Sequence, residues 1–136
     1  MKRIQNIYII LLFTFLFISC EDYSDNLTDK IWTLQSFEPN GEGKTPVNKD
    51  EVYNLEFFDD STLVGIMDCN HYDGIYYIFG EDSLNIYNNG ITYVYCGKES
   101  KFNYYFKAIH SVVTYQIRNN RLILFYDGGK SKLNYR

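Results

Sequence analysis

GIMDCNHYDGIYY, Gly65 to Tyr77, sets Cys69, Asn70 and His71 side by side between two runs of alternating apolar residues. Asn and Asp side chains hydrogen-bond nearby backbone and tolerate left-handed φ, and Gly adopts it freely. The stretch is therefore read as the end of one strand, a reversal through Asn70 and Asp73–Gly74, and the start of the next. Cys69 is expected to be pinned inside. A strand–turn–strand reading here commits the whole chain to an antiparallel β fold, because the flanking sequence repeats the same pattern.

Before the stretch, IWTLQSF (Ile31 to Phe37) puts Trp32 and Leu34 on one face, and VYNLEFF (Val52 to Phe58) puts Tyr53, Leu55 and Phe57 inward. The Gly- and Pro-rich EPNGEGKTP loop separates them, and DDS turns the chain into TLVGIM. After it come GIYYIF, the turn GED, and SLNIYN. NNG at Asn88 to Gly90 is a hairpin signal, since these residues accept positive φ cheaply. ITYVYC is then expected as a further strand. Period-two alternation with regularly spaced turns predicts an antiparallel meander or barrel of about eight strands. One segment breaks the period. Over Glu99 to Val112, Phe102, Phe106, Ile109 and Val113 recur at helical spacing, so one helix should lay an aromatic stripe on the sheet. VTYQI, LILFYD and SKLNYR, divided by RNNR and GG, close the chain as hairpins.

Gly65, Cys69, Asn70, Tyr72, Gly74 and Tyr76 match, in order, the pattern G-x-x-x-C-N-x-Y-x-G-x-Y, and Thr92 with Cys96 forms a second cysteine piece. With the opening Trp32 and Leu34 and the closing hairpins, Lys30 to Arg136 resembles the META domain, the HslJ-like family of small secreted or lipoprotein domains. That resemblance implies a highly twisted, barrel-like antiparallel sheet with one packed helix. It also implies association with heat induction, drug tolerance, secretion or virulence, and it brings no catalytic mechanism. Asn70, Gly74 and Tyr76 stand in it as structural motif residues. The IWTLQSF start followed by a meander also resembles small lipocalin-like domains, so a small-molecule carrier is the alternative.

Upstream lies an address. Lys2 and Arg3 precede a twelve-residue run, Ile7 to Ile18, interrupted only by Thr14. A bilayer span needs about 20 apolar residues, so a short run with a basic flank reads as a secretory signal. It ends in LFISC, which resembles a lipoprotein lipobox, with Ser19 before Cys20. An ordinary cleaved signal or an N-terminal anchor helix is the plainer alternative. The expected organisation is a signal peptide over 1–19, a lipidated Cys20 with an acidic tether over 20–29, and a domain over 30–136. The palmitate-type anchor on Cys20 would fix the protein to the outer membrane of a bacterial envelope, on its periplasmic or outer side. Acidic residues directly after the cysteine resemble the surface-export signals of Bacteroidetes lipoproteins.

The mature span, residues 20–136, is one domain's worth, large enough to bury a core without staples. Eleven basic against 17 acidic residues leave it at −6, which argues against a nucleic-acid partner. The charge is lopsided: eight bases against two acids from Lys98 onward, three against fifteen from Glu21 to Gly97. Pairing of the two halves across strands is the plain expectation, and a polarised binding surface the sharper one. With Cys20 given to lipid, Cys69 and Cys96 remain, and an oxidising compartment permits a bridge between them. Buried free thiols are the other reading, and geometry decides. A zinc site would need four ligands, or three and a water, and Cys69, His71 and Cys96 could be gathered with Asp68 or Asp73 as a fourth. But Cys69 and His71 share a face only if the strand continues, HYDG reads as a turn, and there is no C-x-x-C. A Cys69–His71 nucleophile pair would sit among acids, where a thiolate is disfavoured. No cofactor, no metal and no enzymatic activity are expected. The 14 tyrosines supply either sheet cover or an aromatic face for a protein, peptide or glycan partner.

Overall fold

The computed structural model describes residues 26–136. The signal segment, Cys20 and the acidic residues Glu21 to Asp25 lie outside the described residues. Nine strands follow in chain order: β1 (Ile31–Glu38), β2 (Thr45–Pro46), β3 (Tyr53–Phe57), β4 (Thr62–Met67), β5 (Asn70–Phe79), β6 (Ser83–Ile91), β7 (Val112–Arg118), β8 (Arg121–Tyr126) and β9 (Ser131–Tyr135). One helix, α1 (Phe102–His110), joins β6 to β7. All pairings between strands are antiparallel, and β1 also pairs β9, so the sheet closes on itself. The ninth strand is β2, two residues within the Gly-rich loop that pair with the end of β1.

Alternation builds the wall. Trp32, Leu34, Tyr53, Leu55, Phe57, Leu63, Met67, Leu122, Leu124 and Leu133 all point inward and are buried. A bulge after Leu34 turns both Ser36 and Phe37 inside. The fold reaches back beyond the expected start at Lys30: Leu27 and Thr28 are buried, and Trp32 Nε1 donates to the Leu27 carbonyl at 2.8 Å. That end of the supposed tether is packed because the indole needs a partner for its one donor.

The ring is weakest between β6 and β7, where a single pair, Ser83 with Thr114, joins them. Helix α1 covers this side and plugs the interior. It is shorter than the expected Glu99–Val112, and its buried face is Phe102, Tyr105, Ala108 and Ile109, while Val113 belongs to β7 and is exposed. Tyr105, absent from the expected stripe, is fully buried against Phe37 and Tyr53, and its hydroxyl meets that of Tyr135 at 2.9 Å.

Two turns lie elsewhere than the sequence predicts. The reversal after β4 is the two-residue turn Asp68–Cys69, with Met67 opposite Asn70 and Asp68 at positive φ. HYDG does not bend; it is the body of β5. Gly74 is needed there because a Cβ would lie 2.8 Å from the Tyr72 ring and 2.9 Å from the Tyr87 carbonyl. NNG is likewise inside a strand. Gly74 faces Asn88 and Asp73 faces Gly90, so Asn89 is the extra residue of a bulge. β6 takes in Ile91, the first residue of ITYVYC, and the remaining Thr92 to Cys96 form no strand.

The charge asymmetry is resolved by pairing at one place only. Glu38 and Lys132 face each other across β1 and β9 and form the one ion pair among the described residues, at 2.9 Å. That bond with the ammonium holds the Glu38 carboxyl below its ordinary range.

Candidate functional site

The structure gathers Cys69, Asn70, Thr92 and Cys96 at one end of the barrel. Cys69 is exposed rather than pinned inside; it sits at the tip of the β4–β5 turn and is bonded to Cys96, with Cα atoms 5.4 Å apart. The buried member is Asn70, with no exposed surface. Its Oδ1 accepts from the Val94 backbone N–H at 2.7 Å and from Thr92 Oγ1 at 3.1 Å, and its Nδ2 donates to the Val94 carbonyl at 3.1 Å. Thr92 Oγ1 in turn accepts from His71 N at 2.9 Å, while Thr92 N donates to the His71 carbonyl at 3.0 Å.

Asn70 thus does with one carboxamide what a neighbouring strand would do with its backbone. It takes both the donor and the acceptor of Val94. A buried amide is tolerated only when so paired, since each lone group would otherwise lose its hydration without return. The disulfide then fixes the far end of the segment. Between these two points the loop presents Tyr93, Val94 and Tyr95 outward, 72%, 59% and 81% exposed. The Tyr93 ring is set edge-on to Phe102 at 5.4 Å. A trough of about 470 Å³ opens beside it, floored by Phe102 and rimmed by Tyr95, Lys98, Ser100 and Asn103. Ser100 ties this loop to the turn: its hydroxyl donates to Asp68 and accepts from the first N–H of α1, Phe102 N, at 3.2 Å.

His71 is not brought to the thiol chemistry; it lies exposed on the outward face of β5, and Cys69 is committed to the disulfide. His110, on α1, packs against Tyr72, and its Nδ1–H donates to the Phe106 carbonyl at 2.7 Å. Among the described residues no group of three or more His, Cys, Asp or Glu is placed to hold a metal. Gly74 and Tyr76 belong to the wall of the barrel, Tyr76 donating its hydroxyl to the Phe58 carbonyl at 2.8 Å. Beneath the loop, burial with the Glu51 and Asp68 carboxylates nearby pushes the Tyr53 phenol up, so it stays protonated.

The family model of the META domain matches residues 25–134. The chain belongs to the META domain family. Its Cys-Asn pair and the later Thr and Cys are the four residues that form the clamp. No curated protein matches the sequence. Solved structures share the META fold. A DUF4847 family protein from Bacteroides vulgatus is 19% identical, with a TM-score of 0.63, covering 80% of this chain and 92% of that one. A protein from Burkholderia xenovorans, solved by NMR, is 20% identical, with a TM-score of 0.65, covering 80% of this chain and 81% of its own. At such identities the likeness is one of fold alone.

The residues of this clamp are legible in the sequence, but its geometry is not. Asn70 was expected to bend the backbone; instead it reaches across to a segment more than 20 residues later. The available signal was the pairing of C-N with T-x-x-x-C, whose two halves have a shared purpose only once they meet.

Proposed function

We propose that the chain is a lipoprotein of the bacterial envelope, anchored through Cys20 to the outer membrane, whose META domain acts by contact with a partner and not by catalysis. One observation carries this reading. A buried amide and a disulfide are both spent on holding Tyr93, Val94 and Tyr95 out in solvent. Large aromatic side chains on a rigid loop give contact area with little ordering entropy left to lose on binding. The lipobox-like LFISC supports the address, and the META resemblance supports a part in envelope stress tolerance. The carrier alternative is disfavoured, because the space where a lipocalin-like barrel would hold its ligand is filled by Trp32, Tyr53, Tyr105 and the rest of α1.

Two measurements test it. Mass analysis of the mature N-terminus should find an acylated Cys20, abolished by Cys20→Ala. A photo-crosslinker at position 94 should capture one envelope component, lost in Tyr93→Ser/Tyr95→Ser while the thermal melt stays unchanged. An unmodified N-terminus would refute the anchor. A hydrolytic activity that vanishes in Cys69→Ser with the fold intact would refute the non-enzymatic reading.

A further inference from the structure

The opposite flank of the barrel carries a feature the clamp does not use. Arg118 and Arg121 are direct partners across β7 and β8. One step beyond the Leu122–Tyr135 pair, Arg121 lies beside Arg136, which exchanges both backbone hydrogen bonds with Thr33 of β1 at 2.9 and 3.0 Å. Leu122 and Tyr135 point inward and are buried, so the arginines all stand on the outer face, and each is exposed. Three guanidinium groups therefore form one row across adjacent strands, about 10 Å from end to end at the usual strand spacing.

Like charges directly opposite each other weaken a sheet, and here two such juxtapositions follow one another. Among the described residues the only ion pair is Glu38–Lys132, so none of the three guanidinium groups is held in a salt bridge. Two shallow troughs, of about 280 and 440 Å³, flank it and share Arg121 and Ile123. Lys44 and the amides of Gln35, Asn134 and Gln116 contribute to their walls, and no side-chain carboxylate lines either. Lys30 adds a further cation at the β7–β8 turn, its ammonium 2.9 Å from Asn120 Oδ1. In a protein with more acids than bases, no acidic side chain lines this strip.

We propose that the Arg118–Arg121–Arg136 row binds a carboxylate-bearing polysaccharide, laid across the strands. Guanidinium forks take carboxylates two bonds at a time, and the flanking amides offer donors and acceptors for hydroxyls. An acidic peptide fits less well, because extended peptides add to a sheet edge rather than crossing the face of paired strands. A lipid surface fits less well too. The β3–β4 and β5–β6 turns at the same end of the barrel carry Asp59, Asp60, Glu81 and Asp82, which an anionic bilayer would repel. The inference goes beyond the partner-binding loop, lies on a different face and does not depend on the lipid anchor.

The test is binding of the full chain, purified in mild detergent, to polygalacturonate. Neutral dextran, phosphatidylglycerol vesicles and a single-stranded oligonucleotide serve as comparisons. Polygalacturonate should bind, dextran should not, and Arg118→Gln/Arg121→Gln should weaken binding at least tenfold with a shallower salt dependence and a melt no lower than that of the wild type, since the opposed charges are relieved. Arg121→Lys, which keeps charge but loses the fork, should fall between and guards against a fold defect in the double variant. Lys107→Gln, on α1, should bind as wild type. No binding to the polyuronate, equal binding by the double variant, or vesicle or oligonucleotide binding as tight as polyuronate binding would each overturn the proposal.

Discussion

Asn70 shows how much one buried side chain can organise. Its carboxamide satisfies Val94 at both backbone groups and also receives Thr92 Oγ1. Asn70→Ala should therefore destabilise the domain by about 2–3 kcal/mol, the range expected when a buried hydrogen-bonding group loses its partners. Chemical denaturation should report it as a lower midpoint at unchanged slope. Asn70→Asp makes a sharper test. The carboxylate keeps the acceptor for Val94 N–H but loses the donor to the Val94 carbonyl, and a buried charge is disfavoured. Burial raises the folded-state pKa of that aspartate above its unfolded value, so the protonated form is favoured on folding. Relative to wild type, the variant should be closest to native stability below pH 4 and lose ground as pH rises toward 7. A penalty independent of pH would show that the amide does not work as described. Gly74 is the second residue-scale case. Its role is close approach rather than chain reversal, because its φ is not in the left-handed region while a Cβ would press on Tyr72 and the Tyr87 carbonyl. Gly74→Ala should lower stability by about 1–3 kcal/mol, the usual cost of overpacking, seen as a fall in Tm.

At the scale of elements, the loop from Thr92 to Ser100 depends on two attachments of different kind. The disulfide spans 27 residues, and chain-entropy reasoning assigns such a bridge about 3 kcal/mol. Reduction should lower the melting temperature, and limited proteolysis should then cut near Tyr95 before any strand is lost. Because Asn70 and the bridge hold the same segment, Asn70→Ala combined with Cys69→Ser/Cys96→Ser should depart from additivity by at least 0.5 kcal/mol. The same elements show what could be read from sequence. β3, β4, β8 and β9 alternate cleanly because one face is core and the other solvent, and a period-two pattern records that difference directly. NNG misled because a bulge and a turn call for the same permissive residues, and only the register of Asp73 and Gly74 separates them. ITYVYC alternates well enough for a strand, yet a side chain took the place its ladder would have had. The arginine row was invisible for a related reason: Arg118 and Arg121 read as the shoulders of a hairpin, and Arg136 joins them only through the β8–β9 register.

The molecule as a whole is a ring sealed by tyrosine. Tyr105 reaches from α1 to Tyr135 on β9, so the helix that covers the weak β6–β7 seam is bonded to the far wall. Burial pushes both phenols up from the ordinary value of 10.0, as it does those of Tyr53 and Tyr72. The unfolded chain therefore releases these protons near pH 10, while the folded chain keeps them. Stability from this source is complete below pH 10 and is lost as pH rises from there toward the raised folded values. For Tyr105 and Tyr135, which are fully enclosed, the loss should approach about 1.4 kcal/mol per pH unit for each proton retained. Thermal melts from pH 7 to 12 should be flat up to about pH 9.5 and then fall steeply. Phenolate absorbance from the buried Tyr105 and Tyr135 should appear only with unfolding. Tyr105→Phe separates the electrostatic effect from packing. It keeps the ring but removes one proton from the balance, so its melt should be lower than wild type at pH 7 by a hydrogen bond's worth, about 1 kcal/mol, with the gap narrowing above pH 10. Parallel curves for the two proteins across the alkaline range would mean that the Tyr105–Tyr135 pair does not hold its protons in the fold, and that the helix is kept in place by shape alone.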